Sequence, residues 1–196
     1  MAGGAQISWY LHVIFIDSRA VCHYDECGAL RSLPQGRRLW GEDELNFPGK
    51  RREYLRKVRL HGRDILSAPR MQKERAHIQH GRVSVYGHSI LVAGICLWLA
   101  AGLRLRVDER ALVRGALLHD YFLYDWHIPG EDHRLHGFRH PRRAMENAVR
   151  DFDVAPLEQD MILRHMFPLT PIPPRHREGW LLVAADKIST VYEFFS

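Results

Sequence analysis

The segment from Ile90 to Leu103 runs for 14 residues without a single charge. A helix that is apolar all round has to be enclosed by other elements. At this length it falls short of the ~20 residues that cross a bilayer. It reads as a buried core helix, and the rest of the chain has to supply its walls. The other apolar stretch, Trp9 to Ile16, is shorter and has no cationic run before it. Neither a secretory signal nor a membrane partner is expected. Three cysteines are too few for a disulfide framework. A cytoplasmic protein is the expectation.

The walls are legible as further helices. Tyr54, Leu55, Val58 and Ile65 recur at helical spacing within Arg51 to Ser67, and Pro69 stops that run. Met71 to His80 predicts a second, short helix closed by Gly81. Ser84 is placed to cap the long apolar helix, and Gly102 to end it. Asp108 caps a helix whose inward stripe is Leu112, Val113, Ala116 and Leu117, reaching Asp120. Pro141 and Pro156 read as first-turn prolines of helices through Arg150 and Met166. A last helix is predicted from Arg177 to about Phe195. The expected fold class is all-α over residues 49–196.

Residues 1–48 read differently. Ile7 to Asp17 favours a strand that could pair with Val21 to Tyr24, and glycines and prolines follow. This N-terminal extension is either a small hairpin or a flexible arm. Cys22, His23 and Cys27 lack the paired spacing of a zinc knuckle.

The chain holds 13 histidines, and several fall where the helices begin, end or turn inward. His88 lies early in the apolar helix, and His119-Asp120 directly follows Ala116-Leu117-Leu118. His140 precedes Pro141, His165 closes its helix, and Asp186 follows five apolar residues, Leu181 to Ala185. A carboxylate in so apolar a segment has to be paired or metal-bound, because burying it bare costs several kcal/mol. Four imidazoles and two carboxylates form a ligand mixture that Fe, Mn, Zn or Ni accept. Six ligands suit two ions, which together stabilise in-line displacement at phosphorus. Asp120 is placed to bridge them.

The order His88, His119-Asp120, Asp186 resembles the HD-domain metal-dependent phosphohydrolases, over roughly residues 75–196. His140-Pro141 and His165 make the chain similar to the dinuclear subgroup, which includes HD-type hydrolases of symmetrical dinucleoside tetraphosphates. The resemblance implies an all-α helical bundle. It assigns His88, His119, Asp120 and Asp186 as core metal ligands, with His140 and His165 serving a second metal. His119 and Asp120 would form the catalytic pair. It further implies two divalent ions, Fe or Mn before Mg, Zn or Ni. The reaction implied is cleavage of a phosphate ester, or of a nucleotide anhydride or diester, by metal-activated hydroxide. Many members carry a Gly and a Lys soon after the His-Asp pair. Here Asp120-Tyr121-Phe122-Leu123-Tyr124-Asp125-Trp126-His127 contains neither.

Phosphate contacts are therefore expected from Arg82, Arg139, Arg142 and Lys187, each near a ligand in sequence, with His136 and His80 as further candidates. His136 would act as an acid for the leaving oxygen, and His80 would orient a ligand. His61, His77 and His176 read as surface residues.

Charge is unevenly spread. Lys50 to Arg82 holds 11 Lys/Arg against 3 Asp/Glu, a balance of +8 within a chain of net charge +5. Such a block suits nucleic acid or phosphorylated ligands. It also suits a solvated helix face, since Glu53 and Lys57 have the spacing of an i,i+4 pair. A small phosphorylated substrate, a nucleotide foremost, is the expected partner. A non-catalytic metal-, nucleotide- or RNA-binding module is the alternative.

Overall fold

The structure, a computed structural model, describes residues 51–80, 83–124 and 136–195. They run through α1 (Arg51–His61), α2 (Arg63–Ser67), α3 (Pro69–Lys73), β1 (Ile78–His80) and β2 (Val83–Ser84). Then follow α4 (Val85–Gly102), α5 (Glu109–Leu118), α6 (His136–Asp151), α7 (Pro156–Arg164) and α8 (Arg177–Phe195). Apart from the short antiparallel pair β1–β2, the fold is all-α. Residues Arg52–Phe195 form one unit. The N-terminal extension and its cysteines lie outside the described residues.

The apolar segment is the axis of this unit. By length and composition α4 could cross a membrane, yet 13 of its 18 residues are buried. It packs above all on α5 and α8. Leu91, Val92, Ile95 and Leu97 are each at most 5% exposed. Each such side chain contributes roughly 1.5–3 kcal/mol relative to exposure. Cys96 is a buried free thiol. Both expected caps are present. Ser84 Oγ accepts from the Gly87 N–H at 3.2 Å, and Asp108 Oδ1 from the Ala111 N–H at 2.9 Å. Gly115 lets α7 close on α5, because a Cβ there would meet Met161 Cε at 2.7 Å.

Five local expectations are corrected. The run from Arg51 to Ser67 is divided into two helices at Gly62, where a Cβ would collide with Leu117 Cδ1 of α5. Pro69 does not merely stop a helix but opens α3 at its first turn. Met71 to His80 is not one helix. The carbonyls of Glu74 and His77 accept from Tyr86 (3.3 Å) and Val85 (2.9 Å), which turns the chain into the β1–β2 hairpin. Pro141 lies inside α6, not in its first turn. The proline deprives the Gly137 carbonyl of its helical donor, in the turn that carries His140. α7 also closes at Arg164, with His165 as its C-cap.

Glu53 and Lys57 do not pair across α1; Lys57 Nζ reaches Glu109 Oε1 at 2.7 Å instead. His77 is no free surface residue, since its Nδ1 lies 2.8 Å from the buried Glu74 carboxylate.

Asp151 collects Arg150 (2.8 Å), the Tyr121 hydroxyl (3.0 Å) and Arg70 (3.2 Å). The Arg150 bond above all, against the opposing effect of burial, lowers its carboxyl from 3.8 to about 2. Asp64 is lowered too: burial pushes it up, and Arg114 outweighs that. Both folded values lie below the unfolded ones, so these contacts stabilise fully above the ordinary carboxylate range. They are lost as pH falls through the folded values. The urea midpoint should fall steeply between about pH 4 and 2. In Asp151→Asn that fall should be shallower. An equally steep fall in the variant would contradict this assignment.

Candidate metal centre

Five helices converge their polar residues on one buried point. α4 supplies His88, the end of α5 supplies His119 and Asp120, α6 His140, the end of α7 His165, and α8 Asp186. Their convergence follows from local structure. His119 and His165 are the C-cap residues of α5 and α7. Each donates its Nδ1–H to the carbonyl three residues back, Ala116 and Ile162, at 2.8 Å. That bond fixes the tautomer, so each Nε2 lone pair faces inward.

Asp120 stands between two pairs of imidazoles. Its Oδ2 lies 3.3 Å from His119 Nε2 and 3.7 Å from His88 Nε2. Its Oδ1 lies 3.2 Å from His140 Nε2 and 3.5 Å from His165 Nε2. Asp186 Oδ1 closes the first side, 3.2 Å from His88 Nε2 and 3.7 Å from His119 Nε2. On the second side His140 Nε2 and His165 Nε2 are 2.8 Å apart. Two sets of ligand atoms, His88–His119–Asp120 and Asp120–His140–His165, each lie within 4.8 Å of one another. Asp120 belongs to both.

The electrostatics keep both carboxylates ionised. Burial opposes a charge on Asp120, but His119 first and then His140 and His165 hold its carboxyl well below the usual range. Asp186 is lowered in the same way against burial, by His119 and His88. Burial also opposes a charge on His88, yet Asp186 and Glu193 raise it to about 10. Burial pushes His165 down, while Asp120 works in the other direction.

These residues fit a divalent cation. His119 Nε2 and Asp120 Oδ1 are buried without a hydrogen-bond partner, which costs about 1–3 kcal/mol per group unless something coordinates it. Imidazole nitrogens and carboxylate oxygens are the donors that Fe, Mn, Zn and Ni accept.

Two positioning residues escape a reading of the sequence. Glu193 presents both carboxylate oxygens to His88 Nδ1, at 2.9 and 3.0 Å. It is seven residues after Asp186, two turns along the same face of α8, and that spacing is the signal that could have found it. Gln79, turned inward by β1, donates its Nε2–H to Asp120 Oδ2 at 2.5 Å. The segment after Asp120 is fixed from two sides. Asn147 Nδ2 donates to the carbonyls of Tyr121 (3.0 Å) and Phe122 (3.1 Å). Glu74 Oε1 accepts from the Leu123 N–H at 2.8 Å, where φ is 62°.

Among the expected phosphate contacts, Arg139, Arg142 and Lys187 are exposed. Arg142 is held at the surface by Glu146 at 2.9 Å. Arg82 and the side chains of His80 and His136 lie outside the described residues.

Residues 85–191, more than half of the chain, match the HD domain. The chain belongs to the HD domain family. Comparison with curated proteins and with solved structures returned no match. The matched span contains all six candidate ligands, and HD domains generally bind divalent metals and are associated with metal-dependent phosphohydrolases. The match is to the HD domain as such. It gives no support to the narrower dinucleoside tetraphosphate hydrolase subgroup.

Proposed function

We propose that this HD domain protein is a metal-dependent phosphohydrolase that cleaves a phosphate ester, or a nucleotide anhydride or diester, at a dinuclear centre. The observation that carries this reading is Asp120, whose two oxygens face two different histidine pairs, His88/His119 and His140/His165. His88, His119, Asp120 and Asp186 would hold one cation, and Asp120, His140 and His165 a second. Such ions supply Lewis acidity, lowering the pKa of water toward neutrality and offsetting charge on a phosphoryl group.

The chain's own contribution is orientation. Ala116 and Ile162 carbonyls aim His119 and His165, Glu193 aims His88, and Gln79 steadies Asp120. Asn147 and Glu74 fix the backbone just beyond the His-Asp pair, so the site floor is set before substrate arrives. With Arg142 turned toward Glu146, the remaining cationic candidates for phosphate recognition are Arg82, Arg139 and Lys187.

The experiment is a substrate panel. Purified protein loaded with Mn or Fe should hydrolyse p-nitrophenyl phosphate, bis-p-nitrophenyl phosphate or at least one of a set of nucleotides. His140→Ala should cut that activity sharply while leaving the fold intact by circular dichroism. No turnover of any of these with metal demonstrably bound would sink the enzyme reading and favour a metal-holding binding module.

A further inference from the structure

The charged residues of α1 and α2 sort into two groups. Lys57 is neutralised by Glu109 at 2.7 Å, and Asp64 by Arg114 at 2.6 Å. Arg52, Arg56, Arg59 and Arg63 are all exposed, and among the described residues none of them is paired with a carboxylate. Their spacing of 4, 3 and 4 residues keeps successive members within about 60° of one another around a helix. The buried residues of the same run, Tyr54, Val58 and Ile65, lie on the opposite side. Glu53, the one acidic residue of α1, sits about 100° from Arg52. Gly62 interrupts the helix without breaking its course, since its N–H still donates to Val58 (2.9 Å) and its carbonyl accepts from Leu66 (2.8 Å). Arg110, also exposed, meets Arg63 and His61 across a shallow groove of about 650 Å³.

A row of like charges three and four residues apart works against the helix that carries it. The row therefore adds nothing to folding and is complete only against an anion of matching length. We propose that this arginine face docks on the phosphate backbone of a nucleic-acid duplex. Guanidinium forks suit phosphate oxygens, and the 11 steps from Arg52 to Arg63, at about 1.5 Å rise each, present a line of about 16 Å. No aromatic side chain stands in the row to stack an unpaired base, which argues for a duplex over a single strand. A lipid surface fits less well, because Tyr54 and Val58 are turned into the core and Leu60 alone among the large apolar residues of α1 is exposed, too little to insert. The contacts are to backbone only, so binding is independent of sequence.

The test uses the full chain and fluorescein-labelled duplexes of about 20 base pairs, one DNA and one RNA, titrated by anisotropy between about 50 and 200 mM salt. Binding at low salt should weaken with a log–log slope of about −3.6 for the DNA, the value for four phosphate contacts. Comparing the two duplexes decides which nucleic acid is preferred. Arg56→Gln/Arg59→Gln should bind at least about tenfold more weakly and lose about two from that slope. Arg175→Gln, exposed before α8, should change neither. These substitutions lie at the surface, and an unchanged thermal melt confirms the fold. The proposal is overturned if neither duplex binds at about 50 mM salt, or if the double variant binds as the wild type does. Cosedimentation with phosphatidylglycerol vesicles in place of duplex binding would overturn it equally.

Discussion

Replacing Asp120 with Ala should empty both halves of the centre at once. No other ligand is shared: His88 and His119 face one oxygen of this carboxylate, and His140 and His165 face the other. Loss of an outer partner of a metal site costs about 10–100-fold in affinity or activity, and loss of a bridging ligand should exceed that. Metal content should fall from two per chain toward none, and phosphohydrolase activity by more than about 100-fold. Asp120→Asn retains the shape but not the charge, and should bind metal weakly. Glu193→Gln provides the contrast. It leaves all six ligands in place and loosens only His88, so metal affinity should drop about 10–100-fold while stoichiometry at saturation is unchanged. Asp120→Ala protein that kept both metals and full turnover would refute the bridging role.

The largest loss of stability is expected at Arg114. Its side chain is 1% exposed, and it ties three parts of the fold together. Nε donates to the buried Glu158 carboxylate at 3.0 Å, one terminal nitrogen to Asp64 at 2.6 Å, and the other to the Asp153 carbonyl at 3.0 Å. Glu158 in turn accepts from the Ala155 N–H at 2.8 Å, closing the start of α7. Truncating one partner of a buried pair leaves the other charge uncompensated, which costs about 3–5 kcal/mol. Arg114→Ala should lose that much by urea unfolding, a large part of the ~5–15 kcal/mol of a typical domain. Arg114→Met/Glu158→Leu removes both charges and should recover much of the loss. If the double variant were as unstable as the single one, the cost would reflect packing and not an orphaned charge.

The fold was legible wherever one residue decides a local outcome. Ser84 and Asp108 cap their helices because a short oxygen-bearing side chain has one natural use before an apolar run. His88, His119 and Asp186 stand out because ionisable groups in apolar segments need a partner, whereas His140 and His165 stand out by their places beside Pro141 and at a helix end and by the family resemblance. What stayed hidden depended on distant contacts. Gln79 faces Asp120 only because the Glu74 and His77 carbonyls bond to Tyr86 and Val85, and nothing within Met71 to His80 announces that pairing. Pro141 reads as a first-turn residue because an interior proline loses a hydrogen bond and presses its ring on the carbonyl four residues back, about 3 kcal/mol, and α6 nevertheless contains it. Proximity in sequence also overrated Arg142, which turns outward to Glu146. The arginine row of α1 was visible as excess charge, but its alignment opposite Tyr54 and Val58 emerged only with the helix ends fixed.

The proposed dinuclear centre is tested most directly by counting metals. Purified protein, stripped with chelator, reloaded with Mn or Fe and freed of excess ion, should carry two metals per chain by elemental analysis. His140→Ala/His165→Ala should carry one. A wild-type chain that holds one metal or none after reloading would contradict the dinuclear centre.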